Sequence, residues 1–164
     1  MSTEAKVHRP IRGGRASGIN YTRPGRYNRP VKNYPVSPAL STPRGYSHVV
    51  TASGTMVFVA GQISMDKDGN VVGAGDLRAQ TTQVLENVKA ALAAAGATFA
   101  DVVKMNTYVV NLDSVALPII REVRSQYFPS ENPPASTLVG VTALAFEGLL
   151  IESKLWPCSP RTNS

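Results

Sequence analysis

Most of the residue types that announce metal, redox or disulfide chemistry are nearly missing from this chain. Cys158 is its one cysteine, so no intrachain disulfide can form. With no adjacent histidine or basic residue, Cys158 reads as inert packing rather than as a nucleophile. The two histidines, His8 and His48, are too few and too isolated for a zinc site, so neither a metal nor a cofactor is expected. No apolar run reaches the roughly 20 residues that span a bilayer. No apolar stretch follows the N-terminal basic residues, as a secretory signal requires. Phosphate-loop, dinucleotide and Ser-His-Asp patterns are all missing. These absences exclude a disulfide scaffold and a membrane partner and point to a reducing, cytoplasmic compartment.

Charge is unevenly spread. The formal net charge is +6 in 164 residues. Lys6, Arg9, Arg12, Arg15, Arg23, Arg26, Arg29 and Lys32 stand against Glu4 alone, so the rest of the chain is close to neutral. The basic character belongs to an extension over residues 1–40, which holds Gly13, Gly14, Gly18, Gly25 and five prolines and shows no apolar period. It needs a partner surface to become ordered. Four readings of it stay open. It is arginine-rich and acid-poor like an organellar presequence, although its Gly and Pro content opposes an amphipathic helix. It can wrap a neighbouring subunit and join oligomers into a larger assembly. With Tyr21, Tyr27 and Tyr34 among its arginines, it can contact nucleic acid. It can also remain disordered.

Residues 41–158 carry the domain, and 159–164 a short tail. Tyr46–Ala52 and Met56–Ala60, separated by Ser53-Gly54, predict a β-hairpin. Asp66–Asn70 predicts a turn, with Val71-Val72 a short strand after it. From Asp76 the period becomes helical. Leu77, Val84, Leu85, Val88, Ala91, Leu92 and Ala95 share one face, and Gln80, Gln83, Glu86 and Lys89 form a solvated one. Asp76 is the expected N-cap and Gly96 the C′ residue. Val102–Val110 alternates as a strand, with Val103, Met105, Thr107 and Val109 on one face and Lys104, Asn106 and Tyr108 on the other. A second helix is expected over Ser114–Phe128, its inner face at Val115, Ile119, Val123 and Tyr127. Pro118 must lie in its first turn, because deeper inside it would cost about 3 kcal/mol. Strands near Thr137–Val141 and Leu149–Leu155 close the domain. The order β-β-β-α-β-α-β-β is an α+β domain with two helices on one face of a mixed sheet. Its other face stays apolar and unpartnered, which calls for a closed homo-oligomer.

Few residues offer chemistry. Glu152 follows Leu149-Leu150-Ile151, and a carboxylate among apolar residues is partly desolvated, which favours proton transfer near neutral pH. An edge-strand glutamate in solvent is the plainer reading. Ser136-Thr137, after two prolines, can bond a ligand or simply shape a turn. Arg121, with Arg124 on the same helix, can bind an anion or line a solvated face. Gly61-Gln62 marks a close backbone approach or a bulge.

Together, Val59-Ala60-Gly61-Gln62-Ile63, Gln80–Val88, Val102-Val103-Lys104, Pro134-Ala135-Ser136-Thr137 and Ile151-Glu152 resemble the Rid family (YjgF-like reactive intermediate deaminases, also called L-PSP endoribonucleases). The resemblance runs from about Ser41 to Leu155. It implies a chorismate-mutase-like fold and a homotrimer whose sheets form a central β-barrel, with sites in clefts between subunits. It further implies deamination of a small enamine or imine without a cofactor. By the same resemblance Glu152 positions the attacking water, Tyr46, Gly61 and Gln62 line the pocket, and Arg121 stands at or within a residue of the position of a helix asparagine. Ser136 departs from the pattern, for the family usually has there an arginine that pairs with the substrate carboxylate. A serine hydroxyl cannot replace a bidentate guanidinium pair. Either Arg121 serves as a displaced anion anchor, or the substrate presents a neutral group to Ser136 or Thr137. A non-catalytic trimer that holds a small ligand or a protein partner, and an RNA-binding or ribonuclease role for the basic tail, are the competing functions.

Overall fold

The computed structural model describes residues 31–159. Expectations for the extension up to residue 30 and for the tail from residue 160 lie outside the described residues. The elements are β1 (Val31–Asn33), β2 (Thr51–Ser53), β3 (Thr55–Met56), β4 (Val59–Ile63), α1 (Leu77–Ala94), β5 (Val102–Val110), α2 (Ala116–Ser125), β6 (Ala135–Val141) and β7 (Ile151–Ser159). A 3-10 turn, Phe99–Asp101, leads into β5.

β7 organises the main sheet. It pairs antiparallel with β3 and β4 at one side and with β5 at the other, and β6 adds parallel to β5. A parallel pair needs a crossover, and α2 supplies it between β5 and β6. The result is the expected α+β architecture with two helices and a mixed sheet.

The helices pack where their apolar periods demand. Val84, Leu85, Val88 and Leu92 of α1 are buried against Met105, Val109, Ile151 and Leu155 of the sheet. Asp76 caps α1 by accepting the Ala79 N–H at 3.0 Å, and Gly96 takes a positive φ of 68° just past its end. Pro118 falls in the first turn of α2, where a missing N–H costs nothing.

Four expectations are corrected. The hairpin across Ser53-Gly54 does not form. β2 pairs instead with β1, so regular structure begins inside the extension, while β3 and β4 both turn to β7. Lys32 Nζ donates to Ala100 O and fastens β1 beside the 3-10 turn. Val71 makes only an isolated bridge to Met65. The inner face of α2 is Ala116, Ile120 and Val123, a rotation from the expected phase that leaves Val115 64% exposed. Gln80 does not face solvent: it is fully buried.

Candidate active site

The buried amide of Gln80 explains how the last strand is aimed. Its Nε2 donates to Gly148 O at 2.7 Å and Gly73 O at 3.2 Å, and its Oε1 accepts the Leu150 N–H at 2.8 Å. These bonds fix the chain two residues before Glu152. Asn87, further along α1, donates from Nδ2 to Ile63 O and Met65 O at 2.9 and 2.8 Å and so holds the end of β4. Between these two anchors Glu152 pairs with Ile63 of β4 and Tyr108 of β5. A Cβ on Gly61 would lie 1.9 Å from Glu152 Oε1. Gly61 is therefore the bare stretch of β4 over which the carboxylate lies. Glu152 and Tyr108, with Val141, Ala143, Leu144 and Ala145, line a shallow depression of about 320 Å³.

Ser136 belongs to a different surface. It pairs with Met105, which is buried on the helix side, whereas Glu152 pairs with Tyr108 on the opposite side. Directly paired residues share a face. The two groups thus point away from each other within one chain. On the helix side Arg124 of α2 reaches Ser136, its Nη1 donating to Oγ at 3.1 Å. The guanidinium carbon sits 5.1 Å from the centre of the Phe128 ring. Nη2 is enclosed without a hydrogen-bond partner among the described residues, a deficit of about 1–3 kcal/mol or more for a charged donor. Burial, and then the neighbouring charge of Arg121, hold the guanidinium below the usual arginine range. It remains cationic.

Tyr46 is brought to the start of β6 by its neighbour. Ser47 N donates to Pro134 O at 3.1 Å, Ser47 Oγ to Pro133 O at 2.6 Å, and Ser47 bridges Ala135. Tyr46 and His48 stack edge to face, their centroids 5.2 Å apart. Both line a groove of about 580 Å³ between the 34–48 segment and Pro133.

A model of the endoribonuclease L-PSP family matches residues 37–156. The chain belongs to this family, the Rid family. A crystal structure of a Rid protein of unknown function from Yersinia pestis superposes with a TM-score of 0.72 at 40% identity, covering 77% of this chain and 98% of that one. A RutC family protein of Pyrococcus abyssi is 40% identical over 105 residues, 64% of this chain and 80% of its own. A 2-iminobutanoate/2-iminopropanoate deaminase of the mite Dermatophagoides farinae is 37% identical over 109 residues, 66% of this chain and 82% of its own.

Within the Rid domain, the residues singled out in the sequence fall into two groups. Gly61, Gln62 and Glu152 lie together around β4 and β7, with Gln62 opposite Ser153 and its Nε2 donating to Ala60 O at 3.2 Å. Ser136 and Tyr46 lie at the start of β6. Thr137 turns away from Ser136, accepting a 2.6 Å hydrogen bond from Lys104 Nζ on the Glu152 side. Arg121 is exposed on α2, beside Arg124. The guanidinium that reaches Ser136 is that of Arg124, which sequence reasoning set second. The helix phase hid it. With Ala116 and Ile120 inside, position 124 falls two turns on along the same stripe, and Arg121 falls outside. Tyr108 was placed on its correct face by alternation, but only the register shows it opposite Glu152.

Proposed function

We propose that this Rid protein hydrolyses a small C=N compound, an imine or its enamine tautomer, in clefts between the subunits of a homotrimer. One observation carries the reading: the Glu152 carboxylate lies over the bare backbone of Gly61 and faces an open depression beside Tyr108. A carboxylate so placed can accept a hydrogen bond from one water and orient its oxygen toward an electrophilic carbon. Water oxygen bonds to the imine carbon, the C=N pair moves to nitrogen, and the water proton passes by way of Glu152 to that nitrogen. The C–N bond of the resulting carbinolamine then breaks as its hydroxyl loses a proton to the leaving nitrogen. One imine and one water give one carbonyl compound and ammonia. The mite relative named as an iminobutanoate deaminase supports this reaction class.

The opposite facing of Ser136 and Glu152 supports an inter-subunit location. A site that uses both must take them from two copies, and the trimer implied by the family resemblance supplies such a pair. Glu152→Gln keeps the size and loses the base. Its expected outcome is a fall of at least about a hundredfold in ammonia release from 2-iminobutanoate generated in situ, within the range for loss of a general base. Oligomer size should not change. Full activity in that variant would sink the mechanism.

A further inference from the structure

The proposed hydrolysis needs a donor as well as a base. While Glu152 directs water to the imine carbon, the C=N electron pair settles on nitrogen, which gains negative charge. A hydrogen bond given to that nitrogen tightens as the charge grows, so it lowers the barrier instead of only holding the ligand. The depression at Glu152 offers one side chain for this. It is lined by Tyr108, Val141, Ala143, Leu144, Ala145 and Glu152, so two of its six side chains are polar. A carboxylate accepts and a phenol donates, which makes the two complementary. Register sets them side by side, because half-buried Tyr108 of β5 stands directly opposite Glu152 of β7. Residues so opposed carry their Cβ atoms about 4.5–5.5 Å apart on one face of the sheet. The carboxylate leans toward β4, where it lies over Gly61. The Tyr108 hydroxyl accepts from Asn106 Nδ2 at 3.4 Å. That bond takes up a lone pair and leaves the O–H free to donate. The two lysines of this face are engaged elsewhere. Lys104 Nζ donates to Thr137 Oγ1 at 2.6 Å, and Lys154 Nζ sits 5.6 Å from the centre of the Trp156 ring.

We propose that Tyr108 is a catalytic residue of this hydrolysis: its hydroxyl donates to the imine nitrogen and holds the C=N carbon toward the water on Glu152. Asn106 is a positioning residue, since it acts on the substrate only by aiming that hydroxyl. The proton balance stays as it was. The water proton still travels by way of Glu152 to nitrogen, and Tyr108 keeps its own proton throughout. This role rests on the hydrolase reading for the reaction and adds the group that engages the nitrogen.

The test measures kcat and KM for ammonia release from 2-iminobutanoate generated in situ, using the full chain in its native assembly. Wild type is compared with Tyr108→Phe, Asn106→Leu, the double variant and Glu152→Gln. Tyr108→Phe keeps the ring and should lower kcat about tenfold to a hundredfold while KM changes less than about twofold, the split expected of a bond that strengthens in the transition state. Its thermal midpoint and oligomer size should match wild type. Asn106→Leu should lower kcat about three- to tenfold, and the double variant should be no worse than Tyr108→Phe, because the two side chains act as one unit. A merely structural role for Asn106 would instead add to the loss. Wild-type kcat in Tyr108→Phe, or a change confined to KM, overturns the proposal. Loss in Glu152→Gln with full activity in Tyr108→Phe removes Tyr108 and leaves the hydrolase. Full activity in Glu152→Gln with loss in Tyr108→Phe removes the water-positioning carboxylate and leaves the tyrosine. No imine turnover by wild type removes both. Should Tyr108→Phe fail to assemble, Asn106→Leu decides, and an undiminished kcat there sinks the proposal.

Discussion

Gly61 has no side chain, and the carboxylate of Glu152 fills the space one would need. Gly61→Ala should therefore push Glu152 off β4, since a methyl carbon at 1.9 Å from Oε1 is far inside any contact distance. Because Oε1 ends a flexible side chain, the expected result is loss of imine turnover of about tenfold or more with a small change in thermal midpoint, separable by assay and calorimetry. At this scale the sequence was partly legible. Glu152 stood out as a carboxylate after an apolar run, and Gly61 as a glycine ending one. Neither signal says that they touch, because the contact depends on β4 and β7 being neighbours. Arg124 was not legible as a partner of Ser136. Arg124 lies three residues from Arg121, about 60° round the helix from it, and only packing fixes which of the two faces β6.

α1 does more than cover the sheet. Its buried Gln80 ties Gly73, Gly148 and Leu150, three backbone groups from two loops. Gln80→Leu keeps volume and removes all three bonds, leaving partly buried backbone groups without their partner at a cost of about 1–3 kcal/mol in unfolding free energy. Chemical denaturation checks this, and the same variant should lower kcat, because Glu152 follows the segment so released. The sequence hid Gln80 because a polar residue at the edge of the helix apolar stripe, four before Val84, reads as surface; its burial arises from backbone groups of loops, Gly148 and Leu150 among them far off in sequence. Across the helices, Tyr127 donates from its hydroxyl to Glu86 Oε1 at 2.8 Å, and Arg78 meets Glu122 with two bonds of 2.7 Å. Desolvation first, then the hydrogen bond to Glu86 and its charge, push the Tyr127 phenol from its usual 10.0 up to about 12. A raised folded value means that this contribution to stability is whole below pH 10 and is lost as pH climbs from there to about 12. Ultraviolet titration should show a late phenol that Tyr127→Phe removes, and the same variant should flatten the fall in stability over that window.

One sheet face is left open at the scale of the whole molecule. Phe58 is 76% exposed, and Met56 and Val139 are also exposed. An apolar surface of this kind is covered in a closed oligomer. Sedimentation equilibrium should give a trimer, and Phe58→Asp together with Val139→Asp should shift it toward monomer with loss of turnover. The opposite facing of Ser136 and Glu152 allows a sharper test. Mixing subunits of Glu152→Gln with subunits of Ser136→Ala should regenerate some intact sites, and turnover should rise above that of either variant alone. No recovery after subunit exchange would place both groups in one chain's site.

The sequence by itself determined the elements whose signal is local: α1 between Asp76 and Gly96, α2 with Pro118 in its first turn, the alternation of β5, and hence an α+β domain of the Rid family. These follow from period, caps and proline geometry, which need no distant neighbour. The tertiary structure decided the pairings. It sent β2 to β1 instead of into a hairpin, buried Gln80, set Gly61 beneath Glu152, and brought Arg124 rather than Arg121 to Ser136. Each of these joins residues far apart in the chain or turns on a rotation of one residue about a helix axis. Such choices are made by packing and register, and no local pattern encodes them.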